Sequence, residues 1–132
     1  MGASYLIDTH VVVWLLDEGF SGTASTGEVL KDKGNTLIVS SVTAFEVALK
    51  VRLGKLEMAR ELVRNWSRGI RALDARELSL TSRHGLAAGD LDWGHHDPFD
   101  RLLVAQAQVE DLTLVTGDRV MLAAPGINVL PW

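Results

Sequence analysis

Short apolar runs alternate with longer helix-patterned stretches along this whole chain, and that alternation restricts its fold more than any single motif. Ser4-Tyr5-Leu6-Ile7, Thr36-Leu37-Ile38-Val39-Ser40, Glu77-Leu78-Ser79-Leu80, Leu112-Thr113-Leu114-Val115-Thr116 and Ile127-Asn128-Val129-Leu130 have the length and apolar character of strands. Helices are expected through Val11–Leu16 and over Gly27–Lys33, Thr43–Leu53, Glu57–Leu73, Ser82–Gly89 and Asp97–Val109, with a last turn opened by Asp118. In the Glu57–Leu73 stretch, Leu62, Trp66 and Ile70 fall on one stripe. Strands interleaved with helices pack as an α/β fold, here with a central, mostly parallel β-sheet of about five strands and helices on both faces. No repeat, low-complexity tract or Pro/Ser-rich linker interrupts the 132 residues, so 1–132 are expected to form a single domain.

Composition removes several function classes. There is no cysteine, which excludes disulfides and thiolate metal sites and fits a cytoplasmic location. No apolar run approaches the roughly 18 residues of a membrane span, and no basic stretch followed by an apolar segment marks export. The formal charge of −4 argues against a broad phosphate-binding surface. An acidic protein can still act on nucleic acid where metal ions mask its carboxylates. Neither a glycine-rich phosphate loop nor a nucleophile elbow is present.

The acids are more informative. Asp8 directly follows the first strand, where it is either an N-cap or a ligand at the carboxyl edge of the sheet. Asp118, in Thr116-Gly117-Asp118, has the same choice after the fourth strand. Glu46 shares a helix face with Val42, Leu49 and Leu53, so it points inward. A surface ion pair with Lys50 would explain a pairing but not that placement, because an inward acid needs a compensating partner. Asp97 before Pro98 reads as an N-cap with proline at the first helical position. Asp100 then lies on the face of Leu103, Val104 and Ala107 and is assigned to metal binding. Thr9, Ser41 and Thr116, together with Asp97, are expected to hydrogen-bond these acids or to cap helices. Ser40 is a similar candidate. His95 and His96 are expected to face solvent, and His10 and His84 show no ligand spacing to them. The tryptophans read as core or interface residues.

Four segments taken together resemble the PIN-domain ribonucleases, and within them the VapC toxins of bacterial toxin–antitoxin pairs. They are Leu6-Ile7-Asp8-Thr9-His10 leading to Trp14-Leu15-Leu16, Ser41 to Lys50 centred on Phe45-Glu46, His96-Asp97-Pro98-Phe99-Asp100-Arg101-Leu102-Leu103, and Val115-Thr116-Gly117-Asp118. Gly117 is a departure, since relatives often carry alanine or a bulkier residue there. The resemblance implies a PIN-like fold, with Asp8, Glu46, Asp100 and Asp118 as an acidic quartet that is both catalytic and metal-binding. It further implies a Mg²⁺- or Mn²⁺-dependent endoribonuclease acting on structured RNA, often tRNA or rRNA, with 5′-phosphate and 3′-hydroxyl products. A homodimer neutralised by a VapB antitoxin is implied as well. Residues near Trp14 would then either pack in the core or help form the antitoxin groove.

Two other readings share this architecture. A receiver-like Mg²⁺-binding phosphoacceptor needs adjacent acids after the first strand and a lysine after a late one. Here Asp8 is followed by Thr9-His10, and no such lysine occurs. A non-catalytic interaction module remains if the acids serve only as caps and ion pairs.

Overall fold

The computed structural model describes residues 2–18 and 24–132. Its strands are β1 (Ser4–Ile7), β2 (Thr36–Ser40), β3 (Ala75–Leu78), β4 (Thr113–Thr116) and β5 (Val129–Pro131). They form one sheet in the order β3-β2-β1-β4-β5, and every neighbouring pair is parallel. The helices are α1 (Thr9–Glu18), α2 (Ala24–Lys31), α3 (Ser41–Arg52), α4 (Arg60–Arg64), α5 (Trp66–Ala72), α6 (Ser82–Asp90), α7 (Pro98–Glu110) and α8 (Arg119–Leu122). This is the expected α/β architecture, with a sheet parallel throughout.

Strand pleating sorts the core into two layers, because successive side chains point to opposite faces. Ile7, Leu37, Val39 and Val115 face one way and pack with Val11, Val12 and Leu15 of α1 and Leu30 of α2. Leu6 and Leu114 face the other way, against Leu103, Val104 and Ala107 of α7 and Met121 of α8. A third cluster joins Val13 of α1 to Val47 and Val51 of α3 and to Ala59. Among the described residues, no helix is long and apolar enough to cross a membrane.

The long helix expected over 57–73 is broken. Glu57–Ala59 forms a 3₁₀ turn, and α4 and α5 are separated at Asn65, whose backbone (φ −117°, ψ 32°) leaves the helical region. The Asn65 side chain donates to the Glu61 carbonyl at 3.0 Å, a local bond of the kind that competes with helix continuation. The break lets Trp66 pack against both the α1–α2 layer and the α1–α3 cluster. Two strands are displaced from their expected positions: β3 starts two residues earlier, just after Asp74 in the left-handed region (φ 53°), and β5 two residues later.

Leu103 is fully buried beneath the sheet. Leu103→Ala is expected to lower unfolding free energy by about 2–5 kcal/mol, the usual range for a buried leucine that leaves a cavity. Urea denaturation measures it, and an unchanged midpoint would contradict this packing.

Candidate active site

The chain runs from β1 outward to β2 and β3, then crosses back to place β4 on the other flank of β1. Such a reversal of strand order opens a crevice at the carboxyl ends of the two central strands, the usual ligand position in open α/β sheets. Asp8 stands at the end of β1, with its backbone N–H donating to Val115 O on β4 at 2.9 Å. Across the crevice, Thr116 Oγ1 donates to Asp8 Oδ2 at 2.6 Å and accepts from the Asp118 N–H at 3.1 Å. Asp118 Oδ1 in turn accepts from Val120 N at 2.9 Å and caps α8. Capping and placement at the site therefore coincide in Asp118.

Glu46 enters from α3. It is 8 % exposed, on a buried side made with Val42, Thr43, Val47 and Val51. Leu53, expected on that stripe, is instead 57 % exposed. The Thr9 hydroxyl donates to Glu46 Oε1 at 2.7 Å. Its single proton is thereby used, so Thr43 must be the donor in the 3.2 Å contact between the two threonine hydroxyls. Lys50 Nζ lies 2.8 Å from Glu46 Oε2, so the ion pair exists, but one partner is buried. Ser40 caps α3. Ser41 Oγ accepts from Leu80 N at 3.0 Å and so ties the exit of β3 to α3 instead of reaching the acids.

Asp97 and Asp100 arrive together at the start of α7. Asp97 Oδ1 accepts from Asp100 N at 3.0 Å, with Pro98 in the first turn, as the sequence predicts. Asp100 Oδ2 is 2.6 Å from His95 Nε2. His95 is thus a member of the site, not the solvent-facing residue that its loop position suggests. Its ring packs on Trp93, with centroids 4.9 Å apart. Arg101 stabilises the same loop: its guanidinium donates to the carbonyls of Ala88, Leu91, Trp93 and His95 at 2.8–3.1 Å and to Gly89 at 3.5 Å.

Asp8, Glu46, Asp97, Asp100 and Asp118 all line one cavity of about 690 Å³, with Thr9, His10, Trp14, Lys50, Gly117 and Trp132 completing its wall. Burial pushes the Asp8 carboxyl up to about 6; the Thr116 hydrogen bond opposes this, and the charges of Asp100 and Glu46 add to it. Burial also raises Asp100, against the hydrogen bond from His95. These are the marks of carboxylates held near one another away from bulk water. The donors are carboxylate oxygens, which suit a hard divalent ion. Among the described residues, however, no three Asp, Glu or His side chains are gathered tightly enough to hold one as they stand. Each carboxylate is turned onto a protein partner instead: Asp8 onto Thr116, Glu46 onto Thr9 and Lys50, Asp100 onto His95, and Asp118 onto its helix.

The sequence matches the PIN domain family over residues 5–127. The chain belongs to the PIN domain family. Such domains are generally nucleases that use divalent metal ions. No curated protein sequence matches this PIN domain. Solved structures agree with it in fold. A chain of VapBC2 from Rickettsia felis, bound to a promoter DNA fragment, superposes with a TM-score of 0.71 at 19 % identity, covering 98 % of each chain. DNA-bound VapBC from Salmonella typhimurium gives 0.68 at 15 % identity, again over 98 % of each. A toxin–antitoxin complex from Klebsiella pneumoniae gives 0.60 at 19 %, over 96 % of this chain and 95 % of that one.

Sequence reasoning missed Thr43 and His95. Thr43 lies three residues before Glu46, on the same helix face, and that spacing is a usable signal. His95 depends on a loop path that no periodicity encodes. Gly117 is not forced by crowding, since an added Cβ would meet Trp132 at 3.8 Å.

Because Asp8 rises from 3.8 to about 6, the folded protein binds its proton more tightly than the unfolded chain does. Stability must then fall as pH climbs through that window, with the full penalty of about 3 kcal/mol above it. In EDTA, Asp8→Asn should be more stable than the parent by about 3 kcal/mol at pH 7.5 and by only about 1 kcal/mol at pH 4.5. Paired urea titrations at the two pH values test this, and an equal gap at both would refute the raised carboxyl.

Proposed function

We propose that this PIN domain is a Mg²⁺- or Mn²⁺-dependent endoribonuclease of the VapC toxin type, acting on structured RNA such as tRNA or rRNA. The carrying observation is that Asp8, Glu46, Asp100 and Asp118, from four separate parts of the chain, line one cavity at the switch point of a parallel sheet. These residues would hold the ion. When bound, such an ion neutralises charge on a phosphodiester oxygen and makes water a competent nucleophile.

The chain's own groups prepare the reaction. Thr116 and Thr9 orient Asp8 and Glu46 through 2.6 and 2.7 Å hydrogen bonds. Lys50 keeps a fixed positive charge in the cavity wall, where it offsets carboxylate repulsion and suits an RNA phosphate. The cavity has room for a phosphodiester and its flanking sugars.

A VapB-type antitoxin completes the proposal, with a homodimer in the cytoplasm as the working assembly. An apolar groove of about 410 Å³ lies between α1 and the α4–α5 region, with Val13, Leu16, Met58, Ala59 and Leu62 in its wall. It suits an amphipathic helix. Trp14, 44 % exposed, stands at the acid cavity.

Purified protein incubated with a small-RNA pool should release discrete fragments with Mg²⁺ or Mn²⁺, none with EDTA, and none with the Asp100→Asn variant. Cleavage that survives EDTA or the substitution would refute the proposal. Mg²⁺ should also raise the melting temperature, since an ion at a hundred times its Kd adds about 2.7 kcal/mol to folding. Thermal scans of parent and Asp8→Asn/Asp100→Asn protein test this; equal responses would place any ion elsewhere.

A further inference from the structure

We infer that His95 is the positioning residue for Asp100, and that Arg101 holds the loop that delivers it; this rests on the proposed metal site. An ionised carboxylate can only accept, so in the 2.6 Å contact the proton sits on His95 Nε2 and points at Asp100 Oδ2. The bond is charge-assisted, short and part-buried, which fixes the plane of the carboxylate. Nothing in the local helix would do this otherwise. The Asp100 backbone N–H is taken by Asp97, and that bond orders the backbone while leaving the side chain free to rotate.

His95 could not perform this task from an unrestrained loop. Residues 91–97 form neither helix nor strand. Their path is held by the packing of Leu91 and Trp93 on the core, by the Trp93 ring against the imidazole, and by the Arg101 guanidinium on the backbone. Arg101 uses Nε on Ala88 O, Nη1 on Trp93 O and His95 O, and Nη2 on Leu91 O and Gly89 O. All five guanidinium protons are thereby engaged. Since Arg101 directly follows Asp100 on α7, the loop and the carboxylate it serves are anchored to the same turn of helix. Groups that hydrogen-bond a ligating side chain typically contribute 10–100-fold to metal affinity.

The test uses His95→Leu, which removes the donor, and His95→Gln, which returns an N–H near the Nε2 position. Mn²⁺ affinity is read by electron paramagnetic resonance on full-length protein without RNA, beside melting temperatures in EDTA. His95→Leu should bind Mn²⁺ roughly 10–100-fold more weakly at a near-parental melting temperature, and His95→Gln should recover most of the loss. Parental affinity in His95→Leu would overturn the assignment. So would failure of His95→Gln to recover affinity while it remains folded, which would point to ring packing on Trp93 instead. A second arm needs no metal: in EDTA, ¹H–¹⁵N spectra of the imidazole should show a protected Nε2–H that is lost in Asp100→Ala. An Nε2–H resonance identical in both proteins would overturn the bond itself. Absence of Mn²⁺ binding by the parent, with the imidazole signal as expected, would overturn the metal reading of the cavity while upholding the contact.

Discussion

Parallel pairing of β1 with β4 is the constraint on which the rest of this molecule depends. Because the two strands run the same way, Asp8 and the Thr116–Asp118 segment leave the sheet at the same edge. The two helices that follow diverge to opposite faces, α1 into one core layer and α8 into the other. The gap between them is a crevice floored by backbone, where a side chain can be partly dehydrated without being enclosed. The hydrogen bond from Thr116 to Asp8 closes this gap at its base and links residues 108 positions apart.

Placing several acids around such a gap is unfavourable unless each finds a partner. The partners found here are mostly small neutral donors, two threonine hydroxyls and the backbone N–H groups of Val120 and Asp100, with Lys50 and His95 at the margins. Neutral donors stabilise a carboxylate modestly and do not neutralise it. The cavity therefore retains a net demand for positive charge, in keeping with a site that takes up a cation.

Much of this was legible in the sequence. Alternation of strand and helix patterns gave the sheet, and an acid directly after a strand, as at Asp8 and Asp118, gave the edge. Glu46 was legible because helical spacing puts it on one face with Val42 and Leu49. The Asp97-Pro98 step announced the start of α7 through capping chemistry alone. What stayed hidden shares one physical character, dependence on tertiary path. The interruption at Asn65 turns on a local side-chain bond competing with a continuous apolar stripe, and periodicity registers only the stripe. The β3 boundary shifted because pairing with Leu37–Ser40 begins at Ala75, whatever the strand propensity of Ser79-Leu80. His95 was misplaced because a loop's direction is set by what holds its backbone, here a guanidinium several residues further on.

That guanidinium has a consequence for how the loop can change. The Arg101 guanidinium directs its hydrogen bonds to carbonyl oxygens between residues 88 and 95, and every amino acid supplies one. The contact thus dictates the course of the chain while remaining indifferent to most of the side chains it carries. Exposed positions such as Asp92 and Gly94 can be exchanged for others without loss of this anchorage, provided the backbone path stays accessible. A segment beside the acid cavity is in this way free to diversify its surface while the geometry next to Asp100 is inherited intact.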